Sequence, residues 1–265
     1  MEIIGYLASL LIGISLGLIG GGGSILTVPV LVYLFHVEPV LATAYSLFIV
    51  GATSLVGVFP KYKNNMVNLR TAIIFGIPSI ISVYATRKWL VPAIPENVLQ
   101  IGGFTLTKAL LLMLLFALLM TAASISMIRD KTTNDDHAAP AELKFNYPVI
   151  LIEGMLVGLL TGLVGAGGGF LIIPALVLLS KLPIKQAIGT SLLIIAMKSL
   201  SGFVGDLSHM LIDWSLLLPV TGLAIAGIFL GNALNKKINA ASLKKGFGWF
   251  VLVMGIYIII KELFF

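Results

Sequence analysis

Shifted by 145 residues, this sequence lies on itself. Gly13, Gly17, Gly20, Gly22, Gly23 and Pro29 fall on Gly158, Gly162, Gly165, Gly167, Gly168 and Pro174, and 19 of the 47 positions from Leu11 to Gly57 match their mates without a gap. Shared hydrophobicity can match leucines by chance, but it does not place six glycines and prolines in register. The chain is an internal duplication. Its repeats are residues 1–130 and 147–265, joined by a polar linker at 131–146.

Each copy must live in lipid. The chain is 58% hydrophobic and 11% charged, with a mean hydropathy of +1.08; a soluble domain carries about 25% charged residues. Too little polar side chain is present to cover a surface in water. That excludes a cytosolic globular enzyme, a disordered regulator and a nucleic-acid-binding module. The net charge of +6 fits a membrane protein that gathers Lys and Arg on one side for orientation. With no cysteine there is neither a disulfide framework nor thiolate chemistry. The first charge is Glu2, whereas a secretory signal opens on basic residues, so residues 3–20 belong to the mature fold.

Six runs suit full membrane spans: Leu41–Phe59, Leu69–Thr86, Ala109–Ile128, Ile184–Gly205, Trp214–Asn232 and Gly246–Ile260. Ile3–Phe35 and Val149–Ser180 are different. Each is too long for one straight helix across a hydrocarbon core of about 30 Å, and each carries a glycine cluster in its middle. Both are expected to be two helical pieces joined at a break, either re-entrant or crossing twice.

Loop charges orient the halves. Lys61–Arg70 carries three basic residues and no acid; its mate, Asp206–Ser215, carries two acids and no Lys or Arg. Under the positive-inside rule, matching loops then lie on opposite faces. The expected fold is an all-α polytopic membrane protein with an inverted repeat. Each half holds a Gly-broken helical hairpin and three full transmembrane helices. Both termini lie outside, and Arg87, Lys88 and Lys108, also outside, fit that topology least well.

The glycine clusters are the first candidates for chemistry. Gly13 and Gly17, like Gly158 and Gly162, sit at i,i+4 spacing and suit close helix packing. Gly20, Gly21, Gly22, Gly23 and Ser24, and Gly165, Gly167, Gly168 and Gly169, do not hold one helix face; they dissolve the helix. Freed amides in a bilayer cost several kcal/mol each unless they are buried in protein or line a cavity. Matched Gly/Pro-interrupted segments in two inverted halves point to a transporter's central site, and the helix end after each break favours an anion. A phosphate loop is excluded, because Ser24 and Phe170 stand where Lys-Ser/Thr or a third Gly is needed.

Lys198 lies inside a span with apolar neighbours, at a cost of about 2.5–3.5 kcal/mol on insertion scales. Two uses fit it: a snorkelling or structurally paired lysine, or an anion ligand. Its repeat-mate is Thr53. Ser54 and Ser199 adjoin the two, and Tyr45-Ser46 and Thr190-Ser191 lie two turns earlier. These hydroxyls suit oxyanion oxygens, or back-bond their own helices. Asp206 and His209 suit proton coupling, or simple loop capping. No metal ligand set or cofactor motif stands out.

Gly-Leu-Ile-Gly-Gly-Gly-Gly-Ser (17–24) with Pro29, and Gly-Leu-Val-Gly-Ala-Gly-Gly-Gly (162–169) with Pro174, resemble the TauE/SafE family of sulfite exporter-like membrane proteins. So do the Ser-Leu pairs ending at 47 and 192 and Gly-Asp-Leu at 205–207. The resemblance covers essentially the whole chain. It implies export of small sulfur oxyanions or organosulfonates, such as sulfite or sulfoacetate, across the bacterial inner membrane. The expectation is therefore a secondary transporter of a small anion that works by alternating access around the paired breaks, with possible proton or ion coupling. Its partners are the lipid bilayer and that anion, not nucleic acid. The alternatives are an anion or small-solute channel, an enzyme of lipid-phosphate chemistry and a structural subunit.

Overall fold

The computed structural model describes residues 2–101, 104–129, 147–178, 182–235 and 240–264. The linker 131–146 and Lys181 lie outside the described residues. The first half runs α1 (Glu2–Ile19), a 3₁₀ segment (Gly20–Leu26), α2 (Thr27–Tyr33), α3 (Pro39–Lys63), α4 (Leu69–Ala85), a π-helical turn (Thr86–Leu90) and α5 (Val91–Ala93). A β-hairpin of β1 (Asn97–Ile101) and β2 (Phe104–Thr107) follows, then α6 (Lys108–Arg129). The second half holds α7 (Tyr147–Val164), α8 (Gly169–Leu178), α9 (Ile184–Asp206), α10 (Trp214–Asn235) and α11 (Ala240–Phe264). Helices begin at Glu2 and Tyr147, at Pro39 and Ile184, and at Leu69 and Trp214, each pair 145 residues apart. The duplication thus extends from residue identity to element boundaries.

Local chemistry sets these starts. The Glu38 carboxylate accepts from the N–H groups of Val40 and Leu41, and Asn68 Oδ1 accepts from Thr71 N, so α3 and α4 are both capped. Pro29 sits in the first turn of α2, where no N–H is needed. Among the described residues, six helical segments are long and apolar enough to cross a membrane. Ile73, Ile77 and Ile81 form an exposed apolar stripe on α4, and Ile4, Leu7 and Leu11 form one on α1. Such faces are stable only against lipid. The protein is an all-α polytopic membrane protein with one small addition that hydropathy does not reveal, the β1–β2 hairpin between two spans.

The chain turns back at the glycine breaks. Ser15 Oγ donates to Gly23 O at 3.5 Å, and the Phe35 ring reaches back to Tyr6, with centroids 5.3 Å apart. A continuing helix would carry Gly23 two turns beyond Ser15, so the chain has doubled back. In the second half Gly168 packs likewise on Thr161.

Contacts between the halves are reciprocal. Asn68 N donates to Thr190 Oγ1 at 2.9 Å, and Asp213 N donates to Tyr45 Oη at 2.6 Å; Asn68 and Asp213 are mates, as are Tyr45 and Thr190. A side chain on Gly20 would strike Ile188, and one on Gly165 would strike Thr43, the mate of Ile188. Gly13 lies on Ala224, and Gly158 on Ser79, mate of Ala224. The loop 61–68 meets α9 near Thr190, while Asp206 closes its far end. These points are about 24 Å apart along the helix, so the matching loops 61–68 and 206–213 lie at opposite ends of α9. The paired glycines thus serve the close packing of α1 on α10 and of α7 on α4.

Candidate functional site

The two breaks meet in the protein interior. Gly20, Gly21, Gly23 and Ser24 are buried, and so are Gly165–Gly169. Gly21 lies directly against Gly169, and a methyl on Gly167 would come 3.3 Å from Ser24 Cβ and 2.5 Å from Val50 Cγ1. Val50 is near the middle of α3, so the contact falls midway along the spans. Gly22 lies in the same 3₁₀ segment. The breaks differ in form. Gly20–Leu26 tightens into a 3₁₀ helix, with φ of +73° at Gly20. In the second half Gly165, Gly167 and Gly168 have φ of +75°, +63° and +65°, in the left-handed region that glycine adopts without a Cβ clash. The segment 165–168 is unwound, and α8 begins at Gly169.

Lys198 is fully buried, and its Nζ donates to Thr161 Oγ1 at 2.9 Å. A methyl on Gly168 would lie 2.7 Å from that Nζ. The ammonium is therefore held against the unwound glycines, not snorkelled to a membrane surface. Among the described residues no carboxylate stands within 4.0 Å of it. Thr161 donates in turn to Val157 O at 2.7 Å, which turns its lone pairs toward the lysine.

The hydroxyl residues separate into two groups. Ser46, Thr53, Ser54 and Ser199 are buried without a hydrogen-bond partner for their oxygens. Ser24 donates to Gly21 O and Ser191 to Ile188 O, both at the length of local back-bonds. The Tyr45 and Thr190 oxygens accept the loop N–H groups of Asp213 and Asn68, and so tie α3 and α9 to the loops of the opposite half. His209 is exposed, and its N–H donates to Asp206 O at 2.9 Å.

Sequence reasoning missed one constellation. Arg87, read as the start of a polar loop, is fully buried in the π-helical turn. Its Nη1 stands 3.4 Å from Asp206 Oδ2 and donates to Thr43 Oγ1 at 2.9 Å. Thr43 in turn packs on Gly165, so the ion pair borders the second break. The mate of Arg87 is Asn232, a half-buried residue whose two amide atoms are buried and not hydrogen-bonded. An ionisable residue directly after an apolar run is the available signal. Two of the cations least suited to the expected topology have an acidic neighbour: Arg87 pairs with Asp206, and Lys108 stands 4.0 Å from Glu96.

The family described as sulfite exporter TauE/SafE matches residues 5–258. The chain belongs to the sulfite exporter TauE/SafE family. Among TauE/SafE-like relatives, a probable membrane transporter protein of Xylella fastidiosa (strain 9a5c) is 31% identical over 255 residues, covering 94% of this chain and 91% of that one. The probable membrane transporter protein YunE of Bacillus subtilis (strain 168) is 27% identical over 264 residues, covering 93% of each. No solved structure matches. This TauE/SafE member is a multi-pass membrane transporter, not an enzyme.

Proposed function

We propose that the protein is a secondary transporter, working as an exporter, of small sulfur oxyanions or organosulfonates such as sulfite or sulfoacetate. It moves them by alternating access around the two glycine breaks. One observation carries the reading: a buried ammonium, Lys198, rests against the unwound Gly165–Gly168 segment with a hydroxyl and, among the described residues, no carboxylate beside it. An unpaired cation is expensive at that depth, so an anionic cargo is its natural partner. The unpartnered Ser46, Thr53, Ser54 and Ser199 are the hydroxyls best suited to the cargo's oxygens. The Gly20–Ser24 and Gly165–Gly169 backbones complete the site. Tyr45, Thr190 and Ser191 act by holding the frame.

The halves are an inverted repeat about an axis in the membrane plane, with residues 1–130 and 147–265 as its units. Two re-entrant hairpins, each with three full spans, leave an odd number of crossings per half. The reciprocal contacts and the opposed 61–68 and 206–213 loops support this. Both termini lie outside a bacterial inner membrane, with the basic 61–70 loop in the cytoplasm; the Tyr33–Glu262 hydrogen bond and the Tyr6–Phe35 contact support this reading.

The test is flux in proteoliposomes against sulfite, sulfoacetate, thiosulfate and sulfate, with and without a pH gradient. Saturable flux of a sulfur anion is expected; a gradient dependence lost in Asp206→Asn or His209→Gln assigns the coupling. Non-saturating conductance favours a channel, and no flux of any of the four refutes the cargo class.

A further inference from the structure

Arg87 is not consumed by its ion pair. Asp206 and Thr43 both meet Nη1, whereas Nε and Nη2 are buried with no hydrogen-bond partner. Those two nitrogens form the edge of a guanidinium that grips two oxygens of one anion in parallel. Leaving that edge bare in a membrane interior is costly, and a structural clamp would be expected to turn the fork fully onto the carboxylate.

The surroundings make room for the guanidinium. Arg87 packs on α9 over Gly202 and Gly205: a methyl on Gly205 would come 3.1 Å from Arg87 Cβ, and one on Gly202 3.8 Å from Arg87 Cγ. Lys198, Gly202 and Asp206 follow at four-residue intervals, so they share one face of α9. Along that face Lys198 and Asp206 are about 12 Å apart. The residue itself sits in a π-helical turn, a departure from regular helix often found at functional sites. At the equivalent place in the other half stands Asn232, half-buried, with both amide atoms buried and unbonded.

We propose that Arg87 is a second cargo-binding residue. Its Nε–Nη2 edge takes two oxygens of the oxyanion as it passes between Lys198 and the Asp206 face. Asp206 is the resident counter-ion that holds the guanidinium between passages. The proposal rests on the anion-transport reading above and adds a station to its path. Asp206 and the cargo compete for one guanidinium, which gives the two residues opposite signatures.

The experiment measures sulfite, sulfoacetate, thiosulfate and sulfate binding and flux on the full chain in lipid nanodiscs and proteoliposomes. Arg87→Lys keeps a charge and loses the fork; its apparent Kd and KM should rise at least fivefold. Asp206→Asn removes the competitor and should bind the anion several-fold more tightly. Arg87→Gln/Asp206→Asn removes both charges together; it should melt within a few degrees of wild type yet transport at least tenfold less. Weaker binding in Asp206→Asn, matching Arg87→Lys, marks a structural clamp and overturns the proposal. So does a double variant with wild-type KM and flux, or a wild type that binds none of the four anions. Lys198→Met at wild-type flux overturns the central site and this station with it. Lys198→Met inactive beside a fully active double variant overturns the Arg87 proposal alone.

Discussion

The two glycine breaks descend from one sequence and are furnished differently. Around the second stand Lys198, Thr161, Arg87, Thr43 and Asp206; their mates around the first are Thr53, Leu16, Asn232, Ile188 and Lys61. The backbone follows the same division. Four successive glycines and Ser24 close the first break into a 3₁₀ helix that bonds itself. The second, Gly-Ala-Gly-Gly-Gly, is unwound, with three left-handed glycines. The two breaks pack together, with Gly21 set against Gly169, while the fully buried charges stand beside the second. Duplication supplied two similar breaks, and divergence set Lys198, Arg87 and Asp206 beside one of them.

The comparison breaks most sharply at the glycines. Gly167→Leu places a side chain at φ of +63° and against Val50. A left-handed residue costs roughly 1–2 kcal/mol and overpacking about 1–3 more. Transport should be abolished and the melting temperature lowered. Gly22→Leu should also abolish transport; wild-type flux in both would remove the breaks from the mechanism. Next comes the mate pair Lys198 and Thr53. Lys198→Met should lose tenfold or more in flux, about 1.4 kcal/mol or above, while Thr53→Val should lose threefold at most. Equal losses would erase the asymmetry between the breaks.

Arg87 and Asn232 sharpen it further. Breaking a buried pair by removing one partner costs about 3–5 kcal/mol, because a charge is left unpaired. Arg87→Gln should therefore lower the melting temperature more than Asn232→Leu, and adding Asp206→Asn to it should recover part of the loss. The smallest effect concerns the mated caps Asn68 and Asp213. The Ser215 hydroxyl, followed by the Leu216 and Ser215 N–H groups, holds the Asp213 carboxyl below the usual carboxylate range. A depressed value in the folded state means that its contribution is complete above the unfolded pKa, about 3.9. It is lost as the pH falls through the folded value. A melting series from pH 6 to 3 should show a shallow acid loss that Asp213→Asn flattens. Asn68→Ala should instead lower stability by about 1 kcal/mol with no pH dependence of its own.

Much of this protein is legible in its residues. The repeat offset predicts three matched helix starts because the same capping and apolar pattern recurs at each. Lys198 stands out because charge is rare in a span. Loop charge predicts the matching loops on opposite sides, and α9 meets them at well-separated points. Other parts are hidden. Thr161 is one of several threonines within apolar helix until the hairpin folds Gly168 back onto it. Arg87 looks like the first residue of a loop, because hydropathy averages over a window and cannot tell a span's end from a buried cation. The same averaging hides the β1–β2 hairpin.

The sequence by itself determined the solvent, the duplication and the breaks. These follow from composition and spacing, which act along the chain. Tertiary structure alone decided which hydroxyls are free and which are spent. Tyr45 and Ser46 are neighbours of similar promise, yet one accepts a loop N–H from the opposite half and the other is buried without a partner. That outcome depends on contacts across 168 residues, and hydrogen bonding is short-ranged in space, not in sequence.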